Sequence, residues 1–90
     1  MSALKLVNNV PGSVAVSAEF RVHRGDDPVV RITVHSGATA SMETTPVTTD
    51  LPWSFQAIVN GITTTAERTS NPNATITVTQ DGDEFRLTVS

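Results

Sequence analysis

Apolar and polar residues alternate along almost the whole of this chain, with a period of two rather than 3.6. The run "VAVSAEFRV" sets Val14, Val16, Ala18, Phe20 and Val22 on one side, and Glu19, Arg21 and His23 on the other. "VVRITVH" repeats the arrangement, with Val30, Ile32 and Val34 opposed to Arg31, Thr33 and His35; Leu4 and Leu6 join the apolar set. The residue types are Val, Ile, Thr and Phe, whose branched or aromatic side chains suit a pleated surface. Glycines and prolines divide the pattern into about seven strands. These cover residues 4–10, 13–24, 28–43 (one strand bent near Gly37, or two), 53–60, 61–69, 73–80 and 84–90, and "TTPVTTDLP" is the one long loop.

Turn chemistry then fixes the register. Asn60-Gly61 is a strong two-residue hairpin signal, so Val59 pairs with Ile62, Ala57 with Thr64 and Phe55 with Ala66. On the opposite face Ile58 meets Thr63, Gln56 meets Thr65 and Ser54 meets Glu67. A loop through "SNP" is expected to return the chain so that Ala66 pairs with Ile76 and Thr64 with Val78. The loop "DGDE" pairs Val78 with Leu87 and Ile76 with Val89. Two sheets, each apolar on one face, bury those faces together. The expected fold is all-β, a single domain over residues 1–90. It reads as an antiparallel β-sandwich or flattened barrel, with a three-stranded N-terminal sheet packed on a four-stranded C-terminal one. The strand number resembles that of immunoglobulin-like domains, but the Cys…Trp…Cys spacing of that class is missing.

This register places Gln56, Thr63, Thr65, Thr75, Thr77, Thr79 and Thr88 on one outer face, where Glu67 and Arg86 are the only charges. Surfaces that stay in water usually mix about 25–35% charged residues. A threonine-rich face with so few is easier to desolvate, which makes these residues a candidate interface between copies of the chain. Regular Thr-x-Thr rows also resemble ice-binding proteins, which repeat the motif over many more rungs.

Two ligand sites compete with that reading. Trp53 is expected at a strand start opposite Arg68, near Asn71, Asn73 and Asp50. An indole with hydrogen-bonding neighbours is a lectin-like platform for a glycan; with a guanidinium stacked on it, the same indole caps a core. If all connections are simple hairpins, Asp26, Asp27, Asp81, Asp83 and Glu84 gather at one end. Carboxylates on loops are calcium ligands, although "DGDE" lacks the full calcium-loop spacing and Asp and Gly are also what tight turns require.

Composition removes other classes. The absence of cysteine excludes a disulfide scaffold and thiolate metal sites. The net charge is −3, so no basic stripe is expected to bind nucleic acid. "MSALKLVNNVPG" has no apolar run of signal-peptide length, and no segment has the ~18 apolar residues of a membrane helix. A soluble, cytoplasmic protein is the expectation. "RGD" at Arg24–Asp26 and the sequon at Asn73 have no secretory context to act in. His23 and His35 fall several rungs apart, and no serine stands in a nucleophile elbow. The sequence therefore reads as a non-enzyme without a cofactor, calcium apart, working through its surfaces.

Overall fold

The computed structural model describes residues 2–11, 16–44, 52–71 and 73–90. The inward position expected for Val14 and the long loop at 45–51, with Asp50, lie outside the described residues. Strands β1 (Ser2–Asn8), β2 (Ser17–Arg24), β3 (Val30–His35), β4 (Thr39–Thr44), β5 (Trp53–Val59), β6 (Ile62–Thr63), β7 (Glu67–Thr69), β8 (Thr75–Asp81) and β9 (Glu84–Val89) follow in chain order. No helix occurs among the described residues. The fold is all-β, with two open sheets packed against each other. One runs β4-β1-β8-β9; the other runs β3-β2-β5-β6, with β7 also pairing β5.

Alternation decides what each strand buries. Ala18, Phe20 and Val22 of β2 are fully buried, and so are Phe55, Ala57 and Val59 of β5. Leu4, Leu6, Ile76 and Val78 close over them from the other sheet, forming one cluster with Val34, Trp53 and Leu87. Each large side chain removed from water contributes roughly 1.5–3 kcal/mol. The parity read from the sequence holds at these positions.

The turns hold as well. Asn60 and Gly61 both have positive φ (52° and 79°), as the two-residue turn joining Val59 to Ile62 requires. Val78 pairs with Leu87 and Ile76 with Val89. The hairpin is tighter than a four-residue loop, because Asp81 pairs directly with Glu84 around Gly82 and Asp83.

One open alternative is resolved and two expectations are corrected. The segment 28–43 is two strands rather than one bent strand, and they lie in different sheets. The chain turns through Ser36-Gly37, with Ala38 N–H donating to His35 O at 2.9 Å and Gly37 at φ +78°. Next, the segment 61–69 is interrupted. Thr64 is buried, and its Oγ1 accepts the Ala57 N–H at 3.0 Å, taking the place of a carbonyl in the ladder. One extra residue is thereby absorbed, so Phe55 faces Glu67 instead of Ala66. This bulge reverses the facing of β7.

Finally, β8 does not pair with β6 or β7. It crosses to the other sheet and runs parallel to β1, with Leu6 opposite Ile76 and Val7 opposite Thr77. The pairs Ala66–Ile76 and Thr64–Val78 do not form. Both sheets draw strands from both halves of the chain, and the three-plus-four, wholly antiparallel arrangement is replaced. A hairpin rule reads only neighbours in sequence, whereas this crossing is decided by what closes the core.

Asn8 organises the crossing end. Its side chain is fully buried, in phase with Leu4 and Leu6. Nδ2 donates to Val34 O at 2.9 Å and to Val16 O at 3.1 Å, while Oδ1 accepts the Val10 N–H at 3.1 Å. Its backbone N–H donates to Ala38 O and its carbonyl accepts the Gly37 N–H. Every polar atom of the residue is thus satisfied across the two sheets. Replacing it by alanine leaves the buried Val10 N–H without its acceptor and takes a donor from the Val34 and Val16 carbonyls, the second of which keeps the Ser36 N–H at 2.8 Å; a buried polar group left unpaired costs about 1–3 kcal/mol. Urea denaturation of Asn8→Ala is expected to show a loss of about 1–3 kcal/mol, and Asn8→Asp, which aims a carboxylate at two carbonyls, a larger one. An unchanged midpoint in either variant would contradict the role.

Candidate functional site

The crossing of β8 redistributes the residues of the expected interface. Thr75, Thr77 and Thr79 line the outer face of β8, and Thr88 stands beside Thr77 on β9. Gln56 and Thr63 belong to the other sheet, and Thr65 lies in the bulge between its strands β6 and β7; all three are exposed. The seven residues therefore do not form one face. A threonine-rich face does re-form from different neighbours: Val7 on β1 and Thr39 on β4 extend the Thr77–Thr88 row. The adjoining row reads Ser41, Lys5, Thr75 and Ser90. Rows Thr79–Arg86 and Asp81–Glu84 finish the sheet at one end, with Arg86 3.1 Å from Asp81 and 3.6 Å from Glu84.

The Trp53 platform is not a surface. The indole is only 6% exposed. Because of the bulge, Arg68 pairs with Ser54 and points outward, so it is not the cation over the ring. Arg24 is, at 5.4 Å from the ring centroid, and its Nη2 also reaches Asp27 Oδ2 at 3.5 Å. Asn71 and Asn73 are exposed; the Asn73 N–H donates to Asn71 Oδ1 at 3.0 Å, and Asn73 Oδ1 accepts the Ala3 N–H at 3.4 Å.

The acidic turns separate as well. Asp83 and Glu84 share a recess with Ile62, Thr63, Thr64 and Thr65, at the end of β5 that holds Val59. Gly25, beside Asp26 and Asp27, shares one with Pro52 and Arg68 at the end that holds Trp53. Because β8 runs parallel to β1, its turn falls at the end opposite the β2–β3 turn. Among the described residues, no three His, Asp or Glu side chains are placed to hold a metal ion.

His23 and His35 stand at opposite ends of the outer face of the β2–β5 sheet. Ser17 Oγ lies 3.0 Å from His35 Nδ1. A hydroxyl against an imidazole is half of a nucleophilic pair. Here the pair sits on an exposed strand end, and among the described residues no carboxylate orients the ring.

The same face carries a feature that the sequence reading passed over. Arg21, His23, Ser54, Gln56 and Arg68 surround a shallow groove of about 310 Å³, with Val29 and Ala66 at its margins. Alternation already turned Arg21, His23 and Arg31 outward together. What it could not supply was Arg68, which reaches this face only because of the bulge at Thr64.

No family profile, no curated protein and no solved structure matches this chain.

The environment of Trp53 has a direct readout. Its fluorescence is expected to be blue-shifted and poorly quenched by iodide. Arg24→Ala should alter the emission and cost about 0.5–2 kcal/mol, whereas Arg68→Ala should leave the emission as it is. The reverse pattern would restore the stacking expected from sequence.

Proposed function

We propose that this protein is a non-catalytic recognition or structural module that associates with a second copy through the outer face of the β4-β1-β8-β9 sheet. The observation that carries this reading is the row Thr39–Val7–Thr77–Thr88, which crosses four strands without a charge. Thr75, Thr79 and Ser41 flank it, with Lys5 the one charge in the row on one side and Arg86 paired with Thr79 in the row on the other. Hydroxyls and methyls are cheaper to desolvate than ions, and threonine loses little rotamer freedom when ordered. A flat face of this kind is self-complementary under a two-fold axis, with β8 of one copy crossing β8 of the other. Strand spacing and strand length make it roughly 15 Å by 20 Å, on the order of 300 Å², below the ~800 Å² per partner of a stable complex. The dimer is therefore reversible, and its population rises with concentration.

Sedimentation equilibrium tests the assignment. The mass is expected to rise from 9.6 kDa towards twice that value through the micromolar range. Thr77→Lys, placed at the centre of the row, should hold the chain monomeric without changing the stability of the monomer by more than about 0.5 kcal/mol. A chain that stays monomeric at high micromolar concentration, or a dimer indifferent to Thr77→Lys, would remove the proposal.

A further inference from the structure

The opposite sheet carries an electrostatic arrangement that its own residues do not resolve. Arg21 and Arg31 are direct cross-strand partners, and like charges so placed destabilise a sheet. Glu19 is the acid available to both: its Oε1 lies 2.9 Å from Arg21 Nε and 4.0 Å from Arg31 Nε. One carboxylate between two guanidiniums leaves a positive charge over. Arg68 is exposed on β7, two strands from Arg21, and no carboxylate among the described residues lies within ion-pair distance of it. On a protein of net charge −3, this face is locally basic.

The groove between Arg21 and Arg68 adds the shape. Its volume of about 310 Å³ sits at the small end of ligand sites. Ser54 and Gln56 supply neutral hydrogen-bonding groups between the two arginines. Two strand spacings put the backbones carrying those arginines roughly 10 Å apart.

We infer that this groove binds a small polyanion, a molecule carrying two or more carboxylate or phosphate groups, with Arg21 and Arg68 engaging its ends. Guanidinium forks take such oxyanions bidentately. The bound anion also relieves the repulsion between Arg21 and Arg31, so the ligand completes a charge balance that Glu19 leaves unfinished. Single-stranded nucleic acid is a poorer fit, because it needs exposed rings on which bases stack. The aromatic side chain at this groove, Phe55, is 1% exposed.

The test is titration calorimetry, with amide shift mapping, of the intact chain against citrate and against tripolyphosphate at fixed ionic strength. Saturable binding of either anion is expected, with shifts gathered on β2, β5 and β7; the tighter of the two assigns carboxylate or phosphate chemistry. Arg68→Gln and Arg21→Gln should each weaken binding at least fivefold. Arg86→Gln, which removes the same charge from the other sheet, should leave it within twofold. No saturable binding of either anion would overturn the inference, as would an Arg86→Gln loss equal to that of Arg68→Gln. Tighter binding of a mixed-sequence oligonucleotide would overturn it in favour of nucleic acid. Thr77→Lys and the oligomeric state lie on the opposite face, so either proposal can fail alone.

Discussion

The structure depends on one buried amide. Two β-sheets can slide or rotate against each other over an apolar interface, because hydrophobic contact is non-directional. Asn8 adds direction. Its side chain leaves one sheet and donates to carbonyls at the start of β2 and the end of β3 in the other. Buried polar groups that are fully paired specify an arrangement more sharply than apolar ones, since any other alignment strands a donor or an acceptor. Ser36 reinforces the same corner, its Oγ donating to Val10 O at 2.6 Å and its N–H to Val16 O at 2.8 Å. From that corner β3 passes into β4 across the sheets, and β8 finds β1 as a parallel neighbour.

The two outer faces diverge in character as a consequence. With β8 and β9 beside β1, threonines collect on one sheet and most of the arginines on the other. The bulge at Thr64 completes the division: by absorbing one residue it turns Arg68 out towards Arg21 rather than in towards the tryptophan. A single hydroxyl that replaces a carbonyl in the ladder thus decides the electrostatics of a face two strands wide. Neither face needs an enclosed pocket, which so small a core could hardly provide.

Local rules were legible in the sequence. Both tight hairpins, at Asn60-Gly61 and at Gly82-Asp83, keep their strand pairs, and alternation correctly buries Phe20, Phe55, Ile76 and Val78. Non-local pairing was not legible, because hydrophobic parity says which side of a strand is buried but not which strand lies beside it. Parallel β1–β8 pairing joins residues about seventy positions apart and leaves no turn signature. Two clues stood in the chain all the same. Asn8 shares the phase of Leu4 and Leu6, so a polar residue was aimed into the core and needed partners. Gly37 sits where a strand about three times the usual length had to break. The bulge was less accessible: Thr63, Thr64 and Thr65 are alike, and only the burial of the middle one shows where the extra residue is taken up.

The arrangement of the two sheets rests on the burial of the Asn8 carboxamide between them. Nuclear magnetic resonance of its side-chain amide protons addresses that point directly. Two inequivalent protons are expected that exchange with solvent orders of magnitude more slowly than those of exposed Asn73, with Overhauser contacts to the α-protons of Val16 and Val34. Rapid exchange matching that of Asn73, without those contacts, would contradict that burial.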